Sequence, residues 1–155
     1  MAEESNWLVH DHRRHEAALT QCELAAGAED WWEAVDLFRD FVDGLRLHMR
    51  MEDEVLYPLF EETCPDVADD IADLRYEHER LNQLVEELVH VIRHKDFDHL
   101  EESLRPLKQT MMEHNAHEEA VFRRMGDSPL LQRREEILAR LARLGPVDGD
   151  RGLDF

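Results

Sequence analysis

Two pairs of histidine and glutamate stand four residues apart in the sequence: His48 with Glu52, and His114 with Glu118. On a helix this spacing places both members of a pair on one face, one turn apart. Each pair interrupts a stripe that is otherwise apolar at steps of three and four residues, and a buried polar group without a partner costs kilocalories. Imidazole and carboxylate groups are ligands of iron, manganese and zinc, so the pairs predict a buried metal site.

Single histidines interrupt two further apolar stripes. His78 lies on one of them, and His12 and His15 both lie on the other. Counted from the predicted turns at about 1.5 Å per residue, the interruptions of all four stripes fall at one height. His12 fits that height better than His15, and both are compatible with it. The alternative is a set of buried polar groups that pair only with one another, but buried ionisable groups without a role are uncommon.

The number of donor groups indicates two metal ions rather than one. Two bridging carboxylates and four imidazoles would give each ion two oxygens and two nitrogens. A solvent oxo or hydroxo bridge would add a fifth ligand and leave a position open, whereas a closed tetrahedral zinc site would leave ligands unused. His15 is either a fifth imidazole or a side chain that contacts a ligand. The predicted metal ligands are His12, His15, His48, Glu52, His78, His114 and Glu118.

Long amphipathic segments must position these side chains. The apolar periodicity predicts helices from about residue 5 to 26, from 31 to about 62, from 67 to about 94 and from about 99 to 125, with a shorter helix over 130–144. Short turns between long helices favour antiparallel neighbours. The expected fold is all-α: an antiparallel up-down-up-down four-helix bundle with a short fifth C-terminal helix. We expect one domain over residues 1–145 and a flexible tail over 146–155.

Composition narrows the partners and the compartment. The formal net charge is −19, which argues against binding to nucleic acid or to an anionic membrane, because phosphates would be repelled. No apolar run approaches the roughly 20 residues of a membrane span. Cys22 and Cys64 do not form a CxxC pair, which suits a reducing compartment, and charged residues near the N-terminus argue against a signal peptide. The expected location is cytoplasmic.

Four segments resemble the hemerythrin-like, or HHE cation-binding, family in its bacterial type. The segments read "DHRR" (11–14), "HMRMEDEVLYP" (48–58), "EHERL" (77–81) and "HNAHEEAVF" (114–122). One HxxxE on a helix is a weak signal, whereas two that alternate with single histidines in one register are specific. The resemblance implies a non-heme diiron centre, with two oxo- or hydroxo-bridged iron ions, in a four-helix bundle that binds O2, NO or peroxide at an open iron position.

The same resemblance favours redox turnover over reversible carriage of O2. In the oxygen carriers of the family a second histidine follows one turn later on the third helix, where this sequence has Asn82 after His78. We expect a role in oxidative or nitrosative stress defence, as a peroxidase-like, catalase-like or NO-consuming protein with an electron-donor protein as partner. Reversible O2 binding, storage or sensing, and iron storage or donation, are the alternatives. The oligomeric state is left open.

Several other residues are expected to lie outside the site. Tyr57 does not fall on the predicted inner face, and Asp53, Glu119 and His117 are expected to be solvated or to contact ligands from outside. Apolar residues next to the site should limit access of water, namely Leu45, Leu74, Leu81 and Met111. Three tryptophans are predicted to cluster near one end of the bundle, namely Trp7, Trp31 and Trp32.

Overall fold

The computed structural model describes residues 3–126 and 132–144. Its long helices are α1 (Glu3–Gly27), α2 (Trp31–Met51), α4 (Ala68–Arg93) and α5 (Leu100–Met125). Shorter helices are α3 (Tyr57–Thr63) and α6 (Arg134–Arg143), and single 3-10 turns cover Pro65–Val67 and Phe97–His99. The described residues contain no β-strand, so the predicted all-helical class is confirmed. The start predicted for the last helix and the tail 146–155 lie outside the described residues.

Local sequence accounts for the ends of the first two helices. α1 ends at Gly27, and the turn that follows places Glu29 at a φ of 61°. Asp30 then caps α2, because its carboxylate accepts a hydrogen bond from the backbone N–H of Glu33 at 3.4 Å. The short turn lets α1 pack directly against α2.

The predicted helix over residues 31–62 is not regular throughout, which corrects the sequence-based expectation. A π-helical turn over Glu52–Leu56 separates α2 from α3, and the backbone N–H of Tyr57 bonds to the carbonyl of Glu52 five residues earlier. Pro58 follows at once; it has no N–H to donate, and its ring would clash with the carbonyl four residues before it in a regular helix. The wider π-turn accommodates the proline and changes which side chains face inward afterwards.

Two apolar clusters lie on either side of a polar layer. One cluster includes Leu19, Phe41, Leu45, Leu81 and Met111, all buried. The other includes Leu8, Leu59, Phe60, Leu74 and Val121, also buried. The histidines and glutamates of interest come between members of the two clusters along each long helix. The predicted apolar neighbours of the site, Leu45, Leu74, Leu81 and Met111, are therefore confirmed as core residues.

The helices that carry the polar layer contact one another. α1 packs against α2 and α5, α4 packs against α2, α3 and α5, and α6 contacts the π-turn. Among the helices of the described ranges, none is long and apolar enough to cross a membrane. The contacts bring the site residues of four helical segments to one level.

Candidate metal centre

Six of the predicted ligands form two groups that share two carboxylates. One group is His12, His48, Glu52 and Glu118, and the other is His78, His114, Glu52 and Glu118. Within each group the potential ligand atoms all lie within 4.8 Å of one another. Each of the six side chains is at most 4% exposed. The packing of α1, α2, α4 and α5 therefore brings together every member of the predicted set except His15.

The two oxygens of each shared carboxylate face different histidines. Glu52 Oε2 lies 3.2 Å from His48 Nε2, and Glu52 Oε1 lies 3.2 Å from His78 Nε2. Glu118 Oε1 lies 2.8 Å from His12 Nε2, and Glu118 Oε2 lies 3.7 Å from His114 Nε2. Each carboxylate thus spans the two groups, an arrangement that suits two ions bridged by carboxylates.

All four imidazoles turn Nε2 inward and bond through Nδ1 to a second carboxylate. The pairs are His12 with Glu119 (2.8 Å), His48 with Asp11 (2.5 Å), His78 with Asp53 (2.9 Å) and His114 with Glu77 (2.7 Å). A carboxylate at this position accepts a hydrogen bond from Nδ1–H, fixes the ring orientation and leaves the Nε2 lone pair for a cation, which is the usual support of histidine ligands.

These outer carboxylates form a closed ring around the site. Each one stands next to a predicted ligand on its own helix and bonds to a histidine on the neighbouring helix. Asp11 of α1 bonds to His48 of α2, and Glu119 of α5 bonds back to α1. The π-turn reaches α4 through Asp53, and α4 reaches α5 through Glu77. The sequence signal for this ring is an acidic residue adjacent to a ligand on every helix, in the pairs 11–12, 52–53, 77–78 and 118–119.

Several buried atoms of the centre lack a hydrogen-bond partner among the described residues. They are His48 Nε2 and both carboxylate oxygens of Glu52, whose 3.2 Å contacts with imidazole nitrogens lack hydrogen-bond geometry. Buried polar atoms are normally hydrogen-bonded, and an orphaned group calls for an explanation. Since all three atoms point into the two groups, bound cations would satisfy them together. The residues present therefore fit a metal centre.

The carboxylates of the site raise the pKa values of two buried histidines and so favour positive charge there. Burial alone would lower the pKa of His78, but the hydrogen bond to Asp53 and the contact with Glu52 raise it to about 9. Burial likewise opposes a raised pKa at His48, yet the charge of Glu52 and the bond to Asp11 hold it well above its usual range. Protons on His48 and His78 supply this charge when no metal is present, and metal ions would replace them.

Tyr57 belongs to the site, which corrects the expectation that it lies off the inner face. The side chain is fully buried, its hydroxyl donates to Glu118 Oε2, and the same hydroxyl is 3.4 Å from His78 Nε2. Burial and the charges of Glu52 and Glu118 raise the pKa of Tyr57 well above its usual range, so the phenol remains a hydrogen-bond donor. The π-turn rotates Tyr57 inward, and Pro58 was the sequence signal for that turn.

His15 stands apart from the two groups. It is 4% exposed, and its Nε2 is 3.9 Å from Asp11 Oδ2, the oxygen that also binds His48. Gly44 makes room for the ring, because a Cβ there would lie 3.3 Å from His15 Nε2. With Asp11 and His48 it forms a third, smaller group of potential ligands. The prediction that His15 is a ligand of the two-ion site stays a prediction.

Three residues predicted to lie around the site contact it or its outer carboxylates, and the tryptophans differ from the prediction. Asp53 and Glu119 contact ligands as described, and His117 bonds through Nδ1 to Glu77 Oε2 at 2.7 Å. The tryptophans do not cluster, which corrects that prediction. Trp7 stacks on His48, with ring centroids 5.6 Å apart and planes 14° apart, whereas Trp31 stacks on Phe97 and Trp32 is 85% exposed.

Comparison with known proteins agrees with the geometry. The family model for the hemerythrin HHE cation binding domain matches residues 4–125, a range that contains all the residues of both groups. Neither the comparison with curated proteins nor that with solved structures gives a match. Since the family model covers most of the chain, the chain belongs to the hemerythrin family of HHE cation-binding domains.

Proposed function

We propose that this protein holds two iron ions and binds O2, NO or peroxide at an open iron position, with redox turnover in oxidative or nitrosative stress defence. One ion would be bound by His12 and His48 and the other by His78 and His114, while Glu52 and Glu118 would bridge them. The proposed fold is an antiparallel up-down-up-down four-helix bundle within a domain of residues 1–145. An electron-donor protein would be its partner.

The observation that carries the proposal is the division of each shared carboxylate between two pairs of histidines. Two carboxylates that each direct one oxygen to either side would offer each of two ions two oxygens and two imidazole nitrogens. Four protein ligands leave positions for solvent and a small ligand on an ion that prefers five or six. Nitrogen and carboxylate ligands in a helical core suit iron or manganese, and a closed zinc site would not use the shared oxygens.

The residues of the chain would supply the rest of the chemistry. A pair of ferrous ions supplies two electrons, one from each ion, which is the number consumed when the O–O bond of a peroxide is reduced. Tyr57 holds a hydrogen-bond donor against Glu118, where it could donate to an oxygen of a bound ligand. The outer carboxylates hold the imidazoles in place, and the apolar clusters on both sides exclude water.

Metal analysis with a matched pair of variants tests the proposal. Protein produced with ample iron should contain two irons per chain and show charge-transfer absorption after exposure to air. Glu118→Gln, which weakens one bridge, should lower the iron content, whereas Glu113→Gln on the exposed face of the same helix should not. Substoichiometric zinc in place of iron, or equal iron content in the two variants, would contradict the proposed centre.

Reversible O2 binding, storage or sensing is the second candidate, and iron storage or donation is the third. The near-complete burial of the site favours the second, because exclusion of water protects a reversible adduct. Stopped-flow mixing of the diferrous protein with O2 separates it from redox turnover. A stable adduct that releases O2 under vacuum would favour carriage, and rapid oxidation without an adduct would favour turnover.

A further inference from the structure

An apolar cavity lies beside the candidate metal centre and is not needed for a diatomic ligand. Its volume is about 280 Å³. α1, the end of α2, the π-turn, α5 and α6 all contribute to its wall, and one lining residue, Arg134, is charged. The apolar lining residues are Trp7, Met51, Leu56, Phe122, Ile137, Leu138 and Leu141.

One lining residue packs directly on the centre, and two others adjoin site residues along the chain. One face of Trp7 packs on His48, with 5.6 Å between the ring centroids. Leu56 directly precedes Tyr57, and Phe122 lies one turn after Glu118. A molecule in the cavity would therefore lie against the Trp7 ring that packs on His48.

The size and entrance of the cavity indicate what it could hold. An engineered apolar cavity of about 150 Å³ binds benzene, so 280 Å³ corresponds to a molecule of about ten to twelve non-hydrogen atoms. Two large apolar residues of the lining are open to solvent, since Trp7 is 37% and Leu138 is 55% exposed. The wall favours a hydrocarbon group, because burial of apolar surface is its main source of affinity.

We propose that this cavity binds the hydrocarbon group of an organic hydroperoxide, beside the centre at which the peroxide group would react. The proposal rests on the proposed function for its chemistry. Reduction of ROOH to ROH and water breaks the O–O bond and consumes two protons and two electrons; the protons come from solvent, and the electrons come from two ferrous ions that become ferric. The substrate class is thus an alkyl or aryl hydroperoxide in addition to hydrogen peroxide.

Binding is tested without any redox step. 2-Phenyl-2-propanol, which has about ten non-hydrogen atoms and is the alcohol product of cumene hydroperoxide, is titrated into the metal-free protein. We expect a saturable change in tryptophan fluorescence that Trp7→Phe abolishes, although calorimetry still detects binding to that variant. Unsaturable behaviour, or a fluorescence change that persists in Trp7→Phe, would overturn the assignment of the cavity.

A pair of leucine variants locates the ligand. Leu141→Trp fills the cavity and should weaken binding of the alcohol by about tenfold or more, whereas Leu24→Trp, on an exposed position of α1, should not change it. Leu138→Trp, at the exposed rim, provides a second filling variant if Leu141→Trp fails to fold. Equal affinity in filled and control variants would refute the proposal, as would a dimer of native protein that Leu141→Trp converts to a monomer.

The outcomes separate this inference from the proposed function. In iron-loaded protein, Leu141→Trp should lower the ratio of cumene hydroperoxide to hydrogen peroxide consumption by about tenfold. If hydrogen peroxide is consumed but the alcohol does not bind, the cavity assignment alone is wrong. If the alcohol binds but neither peroxide is consumed, the peroxide function is wrong, and the hydroperoxide assignment falls with it.

Discussion

The metal-free protein should lose stability as the pH rises from 6.5 towards 9. His78 carries the argument, because its pKa is about 9 in the folded protein against 6.5 in the unfolded chain. A histidine with a raised folded pKa stabilises the fold fully below the unfolded value, and this contribution is lost as the pH rises through the folded value. Above that pH the His78 ring is neutral in both the folded protein and the unfolded chain, so its charge no longer stabilises the fold.

The size of the effect follows from the pKa of His78. The difference between about 9 and 6.5 corresponds to about 3 kcal/mol, at about 1.4 kcal/mol for each unit of pKa. The ring is almost fully buried, so solvent screening reduces this little. His12 and His48 also have raised pKa values and act in the same direction. A loss of this size is a large part of the roughly 5–15 kcal/mol that stabilises a typical domain.

Urea unfolding of chelator-treated protein at a series of pH values measures the loss. Asp53→Asn removes the main bond that raises the pKa of His78, so the decline with pH should be smaller in this variant. Asp36→Asn on the exposed face of α2 is the matched control and should decline as the native protein does. Iron-loaded protein should decline least, since bound ions replace the protons. Stability of the metal-free protein that stays level or increases between pH 6.5 and 9 would refute the reasoning.

Three further outcomes are expected from the same geometry. Binding of Fe(II) to metal-free protein near neutral pH should release protons, because His48 and His78 must lose theirs. A pH indicator in weak buffer measures the release, and binding without release would contradict their raised pKa values. Tyr57→Phe should lower the unfolding free energy of the metal-free protein by about 1–3 kcal/mol, by removing the donor to Glu118, and should leave the iron content at two. If His15 is a ligand of the two-ion site, His15→Gln should lower the iron content, and a His15→Gln protein that retains two irons would refute that prediction.

The level of the site could be predicted because an α-helix rises by a constant step. His48 and Glu52 lie on one face of α2 and its π-turn, and counting residues from the turns brought His78 of α4 to the same height. The count depends only on regular geometry and on apolar residues above and below the site. Those conditions hold over most of the long helices, so the shared groups of ligands followed from periodicity alone.

Tyr57 could not be placed by the same count. Periodicity assumes a constant angle between successive residues, and the π-turn inserts one extra residue between Glu52 and Tyr57. Every side chain after the turn is displaced around the helix axis, so Tyr57 faces the site although regular spacing puts it outside. A proline six residues after a ligand was visible in the sequence, but its effect depends on whether the chain breaks, kinks or widens there.

The acidic composition of the chain made the outer carboxylates hard to identify from the sequence. The chain has 37 acidic residues, and most of them cover the solvated surface. Adjacency to a ligand therefore did not distinguish Asp11 or Glu77 from the rest, and it left Glu119 between a solvated position and a contact with a ligand. Their role depends on contacts between helices, since each bonds to a histidine on another helix. Only the packing of neighbouring helices decides which acidic side chain reaches which imidazole.

The ring of outer carboxylates also bears on the oxidation state that the centre would favour. Two shared carboxylates and four outer ones place six acidic groups around four imidazoles. In the described part of the chain, exposed arginines pair with Asp11 and Glu119, and His117 pairs with Glu77. Two ferric ions would balance six charges, whereas two ferrous ions would balance four. Glu52 and Glu118 are fully buried, and uncompensated charge in a low-dielectric core is expensive, so a site that held two iron ions would favour the ferric pair over the ferrous pair. A centre that is biased towards the ferric state gives up electrons readily to O2 or peroxide, and this favours redox turnover over reversible carriage.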